Sequence, residues 1–198
     1  VTFRYGMAGG APTDRVAQTG WMNFTLNNST TNSGGLLGYY SPLNANVRTG
    51  FAFGMGVRLV IVYAGTTYYK WRGTLKEIDP TPGQYQERVT RCMAVDWLEQ
   101  PATYFVREVA LQISKRSDEV FSAILAAITT QPPATSISQG KDTYAYACDD
   151  IGRGDHPAAA EMFQRIAMSE LGYIFEKGDT TQGGTVVFEN RHVRAATT

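Results

Sequence analysis

The sequence is poor in the features that mark several protein classes. Of its 198 residues, 18% are charged and two are cysteines, Cys92 and Cys148. Two cysteines are too few for a disulfide scaffold, and they leave the redox compartment open. No apolar run approaches the length of about 18 residues that a membrane-spanning helix needs. No charged segment is followed by an apolar one, so the sequence predicts no signal peptide.

A net charge is also missing. The sequence has 18 lysines and arginines and 18 aspartates and glutamates, so its charge gives no reason to expect nucleic-acid binding. The sign nevertheless changes along the chain. Residues 1–116 hold 12 basic and 7 acidic side chains, whereas residues 117–198 hold 6 and 11. Two halves with opposite net charge are suited to contact with another copy of the chain. The same charge distribution is explained equally well by two ordinary solvated faces.

The first half of the chain has the two-residue period of β-strands. An apolar content of 43% is typical of a globular protein and excludes a disordered tail or a coiled coil. Residues 21–26 place Met22, Phe24 and Leu26 on one face. Residues 57–63 predict a strand that is buried on one face and partly covered on the other.

Turn signals divide this half into a meander. A polar run over residues 27–38 predicts a loop, a turn at residues 64–66 predicts a hairpin, and Gly73 is expected to be a bulge. Further strands are predicted over residues 67–72, 74–79 and 84–95. We therefore predict a β-rich barrel, closed or nearly closed.

The second half changes to a helical period. Ser117 is predicted to cap a helix. Residues 135–154, which follow that helix, are predicted to be irregular. Pro157 is expected at the first position of a second helix, which Gly172 stops with a left-handed backbone. Residues 173–189 predict a terminal β-hairpin. The fold class is therefore α+β, with a β-barrel-like domain over residues 1–115 and a smaller α/β domain over residues 116–198.

Candidate chemistry concentrates in one loop. The segment from Cys148 to His156 contains three carboxylates, Asp149, Asp150 and Asp155, and one imidazole, and it could hold a hard cation through oxygen ligands. A loop with Asp155 or His156 near the cap of the following helix explains the same residues. The spacing matches no calcium loop, and Arg153 competes as a positive charge. Neither cysteine fits a hydrolase signature, and nucleophile-elbow, P-loop and dinucleotide motifs are missing. We expect no catalytic, cofactor-binding or metal-binding residue, and no enzyme activity.

Aromatic side chains offer a different kind of site. A sugar-stacking platform or an interface belt could form from Trp21, Tyr39, Tyr40, Tyr68, Tyr69 and Trp71. The pairs Tyr39–Tyr40 and Tyr68–Tyr69 are the better candidates, because adjacent strand residues point to opposite faces and one of each pair must then leave the core side. Three formal glycosylation sequons begin at Asn23, Asn27 and Asn28.

Taken in order, several segments resemble the minor tail proteins of long-tailed phages. The resemblance rests on Gly20–Asn28 with its "L-x-N" ending, Gly50–Val62, Thr67–Ile78 around Trp71-Arg72-Gly73, and Ala94-Val95-Asp96-Trp97-Leu98. It continues through the closing unit, from Phe163 to Gly172 and then Phe175, Gly184, Val186, Phe188 and Arg191. Each motif is degenerate, and their fixed order carries the resemblance. The insert at residues 27–40 does not align.

This resemblance, to baseplate-hub or tail-tip proteins of siphophage type, implies a tail-tube-like barrel followed by an α/β domain. It also implies a ring, commonly a homotrimer, that caps the tail tube in the virion and contacts the tube protein, the tape-measure protein and other tip or fibre proteins. DNA would pass through without specific binding. Such proteins usually continue into further domains beyond the position of Arg194, so a second barrel, a peptidoglycan-cleaving module or a receptor-binding extension is expected to be either absent or lost from this piece.

Two hypotheses from different classes follow. The first is a non-enzymatic structural subunit of a phage tail tip that lines part of the DNA conduit. The second is a β-rich carbohydrate-binding module that uses exposed aromatic side chains. A hub subunit self-associates and ignores sugars, whereas the module binds a glycan as a monomer.

Overall fold

The computed structural model of the chain describes residues 1–7, 14–81, 88–149, 156–178 and 183–196. Its first sheet has five antiparallel strands in the order β1-β2-β5-β4-β3 and curls into a half-barrel. The strands are β1 (Thr2–Arg4), β2 (Trp21–Asn27), β3 (Gly56–Tyr63), β4 (Thr66–Pro80) and β5 (Val89–Val95). The predicted closure of the barrel is wrong, because within the described residues β1 and β3 each pair on one side only.

The alternation read from the sequence sets the inner face of this sheet. On β2, Met22 is buried and Phe24 and Leu26 are half-buried, as predicted, and the intervening side chains face outward. The loop between β2 and β3 covers this face and places Tyr40 and Phe51 against Leu75 and Cys92. A second cluster continues the core with Met22, Trp71 and Ala94.

Gly73 is not the predicted bulge. The two strands predicted on either side of it form one strand, β4, whose register shifts at Lys70 and at Lys76. Glycine is needed at position 73 for packing, because a Cβ there would collide with the carbonyl oxygen of Val95 and the ring of Trp71. The predicted strand over residues 84–95 is present as β5, and residues 82–87 lie outside the described part of the chain.

The remaining strands form two smaller sheets. A three-stranded sheet, in the order β7-β10-β9, combines β7 (Ala134–Ile137), β9 (Tyr173–Lys177) and β10 (Thr185–Glu189). Strands β9 and β10 form the predicted antiparallel hairpin, and β7 adds to it in parallel. Strands β6 (Gln112–Arg116) and β8 (Thr143–Ala147) pair separately. The prediction that residues 135–154 are irregular is therefore wrong for β7 and β8.

Four short helices are present among the described residues. They are α1 (Glu99–Thr103), α2 (Ser117–Ala127), α3 (Ala159–Ser169) and α4 (Arg191–Ala196), of which α2 and α3 were predicted. Ser117 is the first helical residue rather than the cap, because the Glu119 carboxylate accepts the backbone N–H of Arg116. No helix among the described residues is long and apolar enough to cross a membrane.

The expected signals at the ends of α3 are displaced by one or two residues. The helix begins at Ala159, two positions after Pro157. Leu171, with φ of 49°, adopts the left-handed backbone that was expected at Gly172. Gly172 is required for another reason, since a Cβ there would meet the carbonyl oxygen of Glu189 on β10.

The largest hydrophobic cluster lies between α2, α3 and the three-stranded sheet. Its centre contains Phe121, Phe163 and Phe188, with the rings of Phe121 and Phe188 stacked at 5.3 Å. The cluster also includes Ala17, Trp97, Leu98 and Val106 from the first half of the chain. The division into domains at residue 115 stays a prediction, and residues from both sides of it share this cluster.

Candidate functional site

The β3–β4 hairpin carries apolar side chains far beyond the region that the core covers. Its turn, Ala64 and Gly65, has φ of 47° and 79°, the left-handed pair that a two-residue hairpin turn requires. Val57 and Leu59 pack into the clusters described above. None of the three hydrophobic clusters formed by described residues includes residues 60–63.

We call this part the hairpin end, defined as Val60, Ile61, Val62, Tyr63 and Tyr68. Tyr63 is 73% exposed and Val62 is 68% exposed, and the other three are each at least 40% exposed. Because neighbouring strand residues point to opposite sides, both faces of the hairpin end are apolar. The expectation that this strand is buried on one face and partly covered on the other is wrong beyond Leu59, because Ile61 and Tyr63, on the face expected to be buried, are 45% and 73% exposed.

The edge of this strand is open as well. Strand β3 is hydrogen-bonded to β4 on one side, and no described strand pairs with its other side. An apolar edge strand with unpaired backbone groups is a template for another chain. Lys70 stacks on Tyr68 at 5.2 Å, and Arg58 lies over Tyr69 at 6.0 Å, so the apolar surface has a cationic border.

A second polar feature is buried where β5 leaves the first sheet. Asp96 is 3% exposed, and its Oδ2 accepts the backbone N–H of Gly20 at 2.8 Å while its Oδ1 accepts that of Leu98 at 3.2 Å. The backbone N–H of Asp96 in turn donates to the carbonyl oxygen of Gly20 at 3.0 Å. One carboxylate therefore fixes the start of β2 and the exit of β5.

Glu176 on β9 contacts the same exit from the other sheet. Its Oε2 accepts the backbone N–H of Trp97 at 3.0 Å, and the indole N–H of Trp97 donates to the carbonyl oxygen of Thr130 at 2.7 Å. Burial raises the pKa of Glu176 to about 8, and the neighbouring charge of Asp96 adds to the rise. Burial raises the pKa of Asp96 to about 7. We call this pair, Asp96 and Glu176, the acidic junction.

The candidate loop for a metal is only partly described. Cys148 is buried in the largest hydrophobic cluster, and Asp149 and His156 are exposed. The other two carboxylates of the loop, Asp150 and Asp155, lie outside the described residues. In the described part of the chain, no three His, Cys, Asp or Glu side chains are grouped to hold a metal ion.

The cysteines and one sequon lie in the interior. Cys92 and Cys148 are buried in different hydrophobic clusters, so they do not meet. Burial raises the pKa of the Cys92 thiol to about 11. Asn28 is 4% exposed, with its amide bonded to the backbone of Tyr40 and to the hydroxyl of Ser41. It is therefore not accessible for glycosylation.

The aromatic candidates separate into core and surface. Tyr40 is buried against Phe51, and Tyr39 is half-buried beside it, in a turn rather than in a strand. Trp71 is buried, and Trp21 and Tyr69 are half-buried. Only Tyr68 of the six is exposed, and Tyr63, which was not among them, is the more exposed tyrosine.

Sequence reasoning missed the acidic junction and the full extent of the hairpin end. A sequence signal existed for Asp96, because this residue directly follows the strand pattern of β5 and precedes Trp97. Its position indicated the point where the chain leaves the sheet. Glu176 had none, because a single acid within Tyr173–Lys177 fits an ordinary solvated strand face.

Comparison with known proteins identifies a fold. No family model matches the sequence, and no curated protein matches it. Among solved structures, the chain is similar to a component of the E. coli type VI secretion system that exhibits structural similarity to the T4 bacteriophage tail proteins gp27 and gp5. The TM-score is 0.52 at 10% identity, over 87% of this chain and 42% of that one.

A second solved structure is the 43 kDa tail protein of prophage MuSo2 from Shewanella oneidensis, with a TM-score of 0.49 at 13% identity over 87% of this chain and 47% of that one. The chain spans less than half the length of either protein. The mixed α+β fold of the chain is thus of the kind found in the secretion-system component, which agrees with the fold that the resemblance implies.

Proposed function

We propose that the protein is a structural, non-enzymatic subunit of a phage tail tip, where it forms a hub ring that joins the tail tube to the tip. The observation that carries this proposal is the likeness in fold to a secretion-system component that exhibits structural similarity to T4 tail proteins. In this role the chain is part of the virion and lines a section of the DNA conduit.

The exposed hairpin end supports an assembled state. Contiguous exposed apolar surface on a soluble protein marks an interaction site or an aggregation hazard. Four apolar side chains of the edge strand β3, together with Tyr68 of β4, form such a surface, and a ring would cover it with a neighbouring subunit. We propose a homotrimer, and contacts with the tube protein, the tape-measure protein and other tip or fibre proteins.

Native mass spectrometry over a concentration series, followed by negative-stain electron microscopy of the main species, tests the proposal. A discrete closed oligomer, seen as a ring with a central channel, is the expected result. A monomer at every concentration, or an open-ended fibre, would contradict the hub ring.

The carbohydrate-binding alternative is tested on the same sample. Tyr63 and Tyr68 are the exposed tyrosines of the hairpin end that a sugar could stack on. A glycan array on which the monomer binds, and on which Tyr63→Ala and Tyr68→Ala lose binding, would replace the tail-tip proposal with this one. The hub proposal expects no glycan binding.

A further inference from the structure

A shallow apolar groove lies on the side of the molecule built by α1, α3 and residues 16–19. Its volume is about 470 Å³, and it is open to solvent along one side. Small and apolar residues line much of it, among them Ala17, Pro101, Ala102 and Ala160. Glu161, in the first turn of α3, is exposed and is the charged residue of the lining. We call this the α1–α3 groove.

The charges of the hairpin and of this groove have opposite signs. The segment over residues 56–75 contains Arg58, Lys70 and Arg72 and no aspartate or glutamate. The next cation, Lys76, is paired with Glu99 of α1 at 2.6 Å. Lys70 is exposed and lies over the ring of Tyr68, at the border of the hairpin end. The hairpin end is therefore apolar with a cation, Lys70, at its border. The α1–α3 groove of the same chain is apolar with an acid, Glu161, at its border.

We propose that the hairpin end of one copy docks into the α1–α3 groove of a second copy, with Lys70 paired to Glu161 of the neighbour. This contact rests on the proposed hub function and names the surfaces that would form its ring. It is heterologous, because two different patches meet, and such a contact repeats from copy to copy until the ring closes. Every copy supplies one hairpin end and one groove, so no further protein is needed.

The dimensions are compatible with this contact. The four residues from 60 to 63 extend over roughly 13 Å at the usual rise per strand residue. The groove accommodates a few side chains rather than the whole hairpin, and Val62 and Tyr63 are the most exposed candidates to enter it. The remaining apolar side chains would lie against its rim, where exclusion of water strengthens the Lys70–Glu161 pair.

Directed cross-linking tests the two surfaces. The double variant Val62→Cys with Ala102→Cys should form covalent oligomers under mild oxidation, seen as a ladder on a non-reducing gel. Each single variant is the matched control and should stay at the background level, because the native Cys92 and Cys148 are buried. Cross-linking by Val62→Cys alone would overturn the proposal, since it would show that two hairpin ends meet.

Charge reversal gives an independent measure. Lys70→Glu and Glu161→Lys should each weaken self-association by about tenfold, and the combination should restore most of it. Lys141→Glu changes an exposed cation outside the hairpin and should leave association unchanged. Additive losses in the double variant would overturn the pairing.

The outcomes separate this inference from the function on which it rests. A closed oligomer that shows neither the cross-link nor the charge rescue overturns the hairpin–groove contact and leaves the hub ring standing. A chain that remains monomeric overturns both.

Discussion

The acidic junction should make the protein less stable as the pH rises from about 5 to about 8. The pKa of Glu176 is raised from its ordinary 4.5 to about 8, so in this interval the folded protein holds a proton that the unfolded chain has released. The unfolded state then binds fewer protons, and the free energy of unfolding falls with increasing pH. The contribution is complete below about pH 4.5 and is lost as the pH passes through 8.

The perturbation that isolates this effect is Glu176→Gln. A glutamine has the shape of the protonated glutamate, and its carbonyl oxygen can still accept the backbone N–H of Trp97. One proton difference changes stability by about 1.4 kcal/mol per pH unit, so wild type should lose about 3 kcal/mol relative to the variant between pH 5 and pH 7.5. At pH 7.5 the variant should therefore be the more stable protein.

Urea unfolding followed by tryptophan fluorescence is the suitable assay. With a slope of about 2 kcal/mol per molar urea, the midpoint of wild type should shift by about 1.5 M relative to the variant over this interval. Glu189→Gln, on the neighbouring strand β10, is the matched control and should keep the pH dependence of wild type. Parallel pH profiles for wild type and Glu176→Gln would refute the reasoning.

Three further predictions concern the interior. Asn28→Ala should lower the free energy of unfolding by about 1–3 kcal/mol, measured by thermal unfolding, because the backbone N–H of Tyr40 loses its buried acceptor. The control is Asn46→Ala at an exposed position, which should change the free energy of unfolding by no more than about 0.5 kcal/mol. Gly73→Ala should destabilise by about 1–3 kcal/mol through its collision with Val95 and Trp71, whereas Gly56→Ala, where a Cβ meets open space, should change stability by less than about 1 kcal/mol. A fall of equal size in both glycine variants would contradict the packing argument. Cys92 should resist alkylation at pH 8 in the folded protein, because burial raises its thiol pKa to about 11, and should react once the chain is unfolded in urea. Rapid labelling of the folded protein, read by mass spectrometry, would show that the site opens.

Much of the fold was predictable because its signals are local. The alternation of Met22, Phe24 and Leu26 requires one buried face, and the resulting strand has that face. The apolar stripe of α2 is buried as predicted, and so is that of α3 up to Ala167. Leu171, expected to continue the α3 stripe, lies beyond the helix and is 48% exposed. Strands β7 and β8 were missed because they are short and half-buried, so their side chains do not show a clear alternation.

The candidate sites were less predictable because each depends on distant parts of the chain. The pair Tyr39–Tyr40 looked like an exposed platform, and it is the cover of the first sheet because Phe51 and Leu75 pack beneath it. Gly172 looked like a left-handed helix stop, and the approach of β10 is what requires it. In both cases the residue type indicated a special position, but the contact that requires that residue comes from a distant part of the chain.

The sequence by itself determined where β2, β3, β5, the β9–β10 hairpin, α2 and α3 lie, since backbone period and burial are coupled within a few residues. It did not predict β1, β7, β8, α1 or α4. Only the tertiary structure decided which apolar faces are buried against other elements and which stay exposed. The core includes Val57 and Leu59 and ends before Val60, because neither the cluster under the β2–β3 loop nor the cluster around Trp71 extends further along β3. The raised pKa of Glu176 likewise depends on tertiary structure. It arises because β9 lies against the exit of β5, where Glu176 accepts the backbone N–H of Trp97, a residue 79 positions away in the sequence.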